Sequence, residues 1–178
     1  FNVELDNNVK ERLGFANSFI SMVQNCDHTS DLIFLCDQDD VWLKEKISRT
    51  IDKFSSDDSS EQLLLSNSII WSNGESSCHT SPRSYYKFFN EFKNKKIHAA
   101  LGPLQFFYGH NMVISGSFGK DLSSLIADRK ISIYSHDRFL FYLANIKDCK
   151  VILDDMPLVL YRQHKDQVIG AHFSGGLF

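Results

Sequence analysis

The stretch "FLCDQDDVW", residues 34–42, sets three aspartates, Asp37, Asp39 and Asp40, into four positions behind an apolar run. At ~4 Å and an effective dielectric of ~20, each like-charged pair costs about 4 kcal/mol. One residue separates Asp37 from Asp39, so in a turn both carboxylates can converge on one cation. Hard oxygen donors of this kind suit Mg²⁺ or Mn²⁺. A plainer reading also stands: Asp39 or Asp40 caps a helix that follows, and Asp40 fits that role.

Three further stretches carry chemically useful side chains. "HD" places His136 and Asp137 at the start of an apolar helix, where an acid also suits the helix terminus. "YRQH" ends an apolar run with Arg162 and His164. "YGHNMVIS", residues 108–115, puts Gly109 and small polar groups before an apolar segment. A carboxylate such as Asp137 can act as general base, and Arg162 can pair with phosphate through two parallel hydrogen bonds.

These groups need a scaffold. "VKERLGFANSFISMV" sets Leu13, Ala16, Ile20 and Val23 on one helical face. "DLIFLC", residues 31–36, is a continuous apolar run of the kind found in central parallel strands. "WLKEKISRTIDKF", residues 42–54, predicts an amphipathic helix with Leu43, Ile47, Ile51 and Phe54 on its apolar stripe. Strands are expected over 61–71 and 111–115, then a turn and a helix in "GSFGKDLSSLIADR". A buried helix is expected over 136–146, and two strands over 150–155 and 157–164 joined by a tight turn. Strands and helices alternate through the first 70 residues, which predicts an α/β fold with a mostly parallel central sheet flanked by helices. The acidic cluster then lies at the carboxyl end of a strand, where such sheets bind ligands.

With 178 residues, 43% hydrophobic and 23% charged, the chain suits one globular domain, 1–178, without an internal boundary. Its net charge of −3 argues against a nucleic-acid partner. No apolar run reaches the ~20 residues needed to span a bilayer, and the first residues do not read as a signal peptide. Cys26, Cys36, Cys78 and Cys149 share no Cys-x-x-Cys spacing, so free thiols in a reducing, cytoplasmic compartment are expected, with Cys36 buried.

Taken together and in this order, "LGFANSF" (13–19), "DLIFLCDQDDVWLKEKI" (31–47), "GHNMVIS" (109–115), "HDRFLFYLA" (136–144) and "DDMPLVLYRQHKDQVIGA" (154–171) resemble family 2 glycosyltransferases of the GT-A, Rossmann-like fold. The bacterial enzymes similar to rhamnosyltransferases are the nearest in pattern. The resemblance implies that Asp37 and Asp39 form a D-x-D motif holding Mg²⁺ or Mn²⁺ on the donor diphosphate, and that His164 completes that metal site. It implies Asp137 as the catalytic base of an inverting transfer. It places Gly109 and Arg162 beside the donor and His136 and Trp42 on the acceptor side. The implied partners are a nucleotide-diphosphate sugar and a saccharide or lipid-linked saccharide of a growing bacterial surface polysaccharide.

The same resemblance implies that residues 1–178 begin part-way into the fold, without the first strands that cradle the nucleotide. A truncated, inactive remnant serving as a binding subunit is therefore one alternative to an active transferase; a metal-dependent nucleotidyltransferase, which could also use paired aspartates, is another. Missing strands would leave a sheet edge open to self-association into a homo-oligomer. Residues 72–98 are expected to form a variable, acceptor-side segment. Within it, "PRSYYKFFNEFKNKKIH" mixes five aromatic residues with five Lys/Arg. That composition suits either peripheral contact with the inner face of the plasma membrane or a packed helix with a solvated basic face.

Overall fold

The computed structural model describes residues 14–27, 29, 32–54, 61–72, 75–78, 108–127 and 133–164. The expectations for Leu13, the connection 55–60, most of the acceptor-side segment 72–98 and the tail beyond His164 lie outside these residues.

Helix α1, Phe15–Asn25, follows Gly14, whose φ of 74° puts it in the left-handed region that glycine enters at little cost. Ala16, Ile20 and Val23 are buried, as their spacing predicts. Strand β1 (Leu32–Phe34) leads through the acidic stretch into the two-residue strand β2 (Val41–Trp42), then helix α2 (Lys46–Lys53). The long strand β3 (Gln62–Ser72) turns back into β4 (Glu75–Cys78). A 3₁₀ turn, Gly109–Asn111, precedes β5 (Met112–Ser115) and helix α3 (Gly116–Ile126). Ser115 is both the last residue of β5 and the cap of α3, its hydroxyl accepting from the Phe118 N–H at 3.3 Å. No separate turn is needed there. Helix α4 (His136–Ile146) has the bounds expected from sequence, and β6 runs from Lys150 to Arg162.

The strands form one sheet in the order β1-β5-β3-β6-β2, with β4 on β3. The chain is α/β with a partial Rossmann-like layout, as predicted, but the sheet is mixed rather than mostly parallel. Among the described strands only β3 and β6 pair in parallel; the other ladders are antiparallel. The reason lies in β5, which enters between β1 and β3 from the opposite end.

The expected pair of strands over 150–164 is one strand with a bulge. Ser66 faces Asp154 while Asn67 faces Pro157, so β6 carries two extra residues there. Pro157 lacks an N–H, and a bulge is where a strand tolerates that loss.

Leu63 and Leu65 of β3, with Met112 and Ile114 of β5, face the main core beneath α1, α3 and α4, packed with Phe118, Leu122 and Leu140. Leu64, Ser66, Val113 and Phe34 alternate onto the other face. There α2 anchors through Lys46, whose Nζ lies 3.2 Å from the Ser66 hydroxyl, and through Arg49, which grips Asp154 with two hydrogen bonds of 2.7 and 2.8 Å. These anchors invert the predicted helix. It starts at Lys46 because Val41 and Trp42 pair with β6 instead. Lys46 and Thr50 are buried, whereas Ile47 and Ile51 are 44% and 55% exposed.

β1 and β2 are the two edges of the ladder order. Even so, the rings of Phe34 and Trp42 lie 5.4 Å apart. The sheet must therefore curl until side chains from its opposite edges meet across the face that carries α2. No helix among the described residues is long and apolar enough to cross a membrane.

Candidate functional site

Curling draws the stretch 35–40 across the ends of the strands. Leu35 N–H donates to the Met112 carbonyl at 3.2 Å, and Asp40 N–H turns back to the Asp37 carbonyl at 3.4 Å. Four segments converge at this end: the acidic loop, the turn 109–111 before β5, the carboxyl end of β6, and the first turn of α4. This is the ligand-binding end expected of an α/β sheet.

Asp40 does not cap α2. Its Oδ1 accepts from the Arg162 N–H at 3.1 Å, tying the loop to the end of β6. Its Oδ2 lies 3.6 Å from His110 Nδ1. The same imidazole nitrogen is 3.8 Å from Asp37 Oδ2. One donor atom from each of Asp37, Asp40 and His110 lies within 4.8 Å of the others. His110 is buried and held in plane by stacking on Tyr161, centroids 4.2 Å apart, with Tyr108 on it at 5.7 Å.

Asp39 points elsewhere: its Oδ2 is 2.7 Å from His164 Nε2. The structure thus places Asp39 beside His164, and Asp37 beside Asp40 and His110.

Charge accumulates at this end. Burial pushes the Asp37 carboxyl up to about 6, and the nearby Asp39 and Asp137 charges add to it. Burial likewise lifts Asp40 to about 7, with the Arg162 N–H pulling down and Asp37 and Asp39 pushing up. A cation would relieve both the crowding and the lost hydration.

Asp137 is buried at the N-terminus of α4, with Oδ1 accepting from the Ser135 hydroxyl and from the Arg138 N–H at 2.8 Å. Its influence on Asp37 puts it within electrostatic reach of the cluster. His136 turns inward from Asp137. Its ring is 5% exposed, stacks on Phe19 at 4.1 Å and meets Phe15 edge-on. A Cβ at Gly109 would overlap His136 Nε2, so the glycine makes room for the ring. Burial lowers the imidazole pKa, which keeps it neutral.

Arg162 is exposed at the end of β6 on the same side of the sheet. Trp42 lies in β2 against Phe34, with Lys46 Nζ 5.9 Å from its ring centroid. Cys36 is exposed rather than buried, because the chain has left β1 and its thiol donates to the Asp37 carbonyl at 3.2 Å. Cys26, Cys36 and Cys149 form no disulfide.

Sequence reasoning missed His110. The stretch "YGHNMVIS" shows a glycine and small polar groups before an apolar strand, and nothing local marks His110 among them. Only the β1–β5 pairing, which sets Phe34 opposite Val113, brings that turn beside the acidic loop.

The donor set fits a divalent cation. Two carboxylates and one imidazole converge, and Asp40 Oδ2 is buried without a hydrogen-bond partner. Among comparisons with known proteins, dTDP-rhamnosyl transferase RfbG of Shigella flexneri is 27% identical over 167 residues, covering 90% of this chain and 53% of that protein. The chain therefore spans about half the length of the curated relative it matches. No family model matches the chain, and no solved structure does.

Proposed function

We propose that this chain carries the catalytic end of a glycosyltransferase, transferring a sugar from a nucleotide-diphosphate donor, such as dTDP-rhamnose, to a saccharide or lipid-linked saccharide acceptor. The observation that carries this reading is the gathering of Asp37, Asp40, His110 and Asp137 at one end of the sheet. The distant rhamnosyl transferase relative supports it.

The chemistry follows from the placement. A cation at the acidic loop, Mg²⁺ or Mn²⁺, would neutralise charge on the leaving diphosphate. Asp137 takes the proton of the acceptor hydroxyl as that oxygen attacks the anomeric carbon. The Ser135 hydroxyl and the Arg138 N–H fix the carboxyl for that task. Direct displacement inverts the anomeric centre. Arg162, exposed at the end of β6, would pair with a donor phosphate. A cytoplasmic protein working at the inner face of the plasma membrane would meet lipid-linked acceptors there.

The test is transfer of labelled rhamnose from dTDP-rhamnose to lipid-linked saccharides, with and without chelator. The expected result is a cation-dependent product that Asp137→Asn abolishes. Chelator-resistant transfer, or full turnover in Asp137→Asn, overturns the mechanism. Loss of both transfer and donor binding in the parent protein favours the other reading, a non-catalytic subunit that docks through its edge strands β1 and β2.

A further inference from the structure

We propose that the divalent cation is held by Asp37, Asp40 and His110, while Asp39 and His164 bond to each other beside it. The inference deepens the reading above and rests on it only for the cation's purpose. Spacing along the chain offers Asp37 and Asp39 as the ligand pair, with His164 completing the set. The folded geometry divides these residues differently.

Asp39 and His164 satisfy one another at 2.7 Å. Asp40 is the opposite case. Its side chain has no solvent exposure, and its Oδ2 has no hydrogen-bond partner. A buried carboxylate oxygen in that state calls for a positive partner. The facing groups are arranged for one. His110 Nδ1 stands 3.6 Å from Asp40 Oδ2 and 3.8 Å from Asp37 Oδ2. Both separations exceed those of an N–H···O hydrogen bond. They suit ligands around a shared ion, since two donors each ~2.1 Å from one cation stand at most ~4.2 Å apart.

The imidazole is also pre-set. Stacking on Tyr161 fixes its plane, with Tyr108 beside both rings, and burial fixes its depth. The Arg162 N–H on Asp40 Oδ1 orients that carboxylate so that Oδ2 faces His110. Two oxygens and one imidazole nitrogen favour Mn²⁺ over Mg²⁺, because nitrogen ligands suit transition metals. An octahedral ion on three protein ligands keeps its remaining positions for water or diphosphate oxygens.

The experiment is titration of Mn²⁺ alone into the protein, read from the free-ion EPR signal, with far-UV circular dichroism confirming that each variant folds. Asp40→Asn and His110→Gln are expected to weaken binding at least tenfold. Asp39→Asn and His164→Gln are expected to change it less than threefold. Should His110→Gln not fold, electron spin-echo modulation from ligand nitrogen decides the matter in the parent and in His164→Gln. A ¹⁴N coupling retained in His164→Gln supports the assignment; a coupling lost there overturns it. Undiminished binding in Asp40→Asn, or no Mn²⁺ site in the parent, also overturns it. Mn²⁺ bound as proposed without sugar transfer would sink only the glycosyltransferase reading. Transfer with the ion on Asp39 and His164 would sink only this assignment.

Discussion

The rings of Phe34 and Trp42 meet with centroids 5.4 Å apart, although three strands separate their own strands in the sheet. Strands are spaced about 4.8 Å apart, so in a flat sheet the two backbones would stand about 19 Å apart. The contact therefore measures how far the sheet curls, and it closes the base of the acidic loop. Removing the indole by Trp42→Ala should cost about 2 kcal/mol, below the range for fully buried tryptophan because the residue is half-buried. Urea denaturation measures it. An unchanged midpoint would mean that other contacts set the curl.

Gly109 and His136 predict a steric dependence. A methyl group at Gly109 would overlap the His136 ring, and that ring is wedged on Phe19 with little room to retreat. Gly109→Ala should destabilise by about 1–3 kcal/mol, the usual range for overpacking. Shrinking the ring in Gly109→Ala/His136→Ala should recover part of the loss. Additive losses across this double-mutant cycle would show that the two positions do not clash.

Protonation makes the acidic loop pH-sensitive, with a definite sign. Asp37 and Asp40 bind protons in the folded state up to about 6 and about 7, against about 3.9 when unfolded. Between these values the folded state holds more protons, so this contribution is full below pH ~4 and is lost as pH rises towards 7. Asp154 runs the other way. Burial raises its pKa, but the Arg49 hydrogen bonds outweigh this and hold it below the ordinary value. Its contribution is present above pH ~4 and is lost on further acidification. Buried, neutral His136 adds an opposing rise over the same window, so the test is the difference from a variant: the melting temperature in chelator, relative to Asp40→Asn, should fall from pH 4.5 to 7.5. A difference that stays flat or rises would contradict the raised Asp40 value.

Lys46 carries a buried charge on the opposite face. Burial lowers its ammonium to about 8, despite the nearby Cys36 and Asp154, and its hydrogen bond is to the neutral Ser66 hydroxyl. Replacing such a group with an apolar residue of similar length is often stabilising. Lys46→Met should raise stability at pH 7 by about 1 kcal/mol and abolish a rise in stability between pH 8 and 10, where the unfolded lysine binds the proton more tightly. A lower melting temperature would show that the ammonium's interactions with Ser66, Trp42 and Asp154 together outweigh its burial.

How much of this was legible in the sequence depends on where the deciding contact lies. Helix α4 was readable to its ends, because its apolar period and flanking polar residues are local. The α1 face was readable for the same reason. The orientation of α2 was not. Residues 43, 47, 51 and 54 form one helical stripe and residues 46, 50 and 53 another, and Ser66 and Asp154, distant in sequence, decide which turns inward. The carboxylates of the site were visible as a local cluster. Their division between His110 and His164 was not, because it depends on how β5 and β6 bring those histidines alongside.

The aromatic contact at the loop's base also bears on how this protein tolerates change. With Phe34 and Trp42 gripping its two ends and the Arg162 N–H pinning Asp40, the segment 35–41 behaves as a self-contained cassette. Its exposed tip is Gln38, between Asp37 and Asp39. The side chain at that tip can vary while the sheet keeps its shape, but the length of the segment is held by Asp39 on His164 and Asp40 on the Arg162 N–H. A change at either aromatic grip would loosen the whole cassette at once.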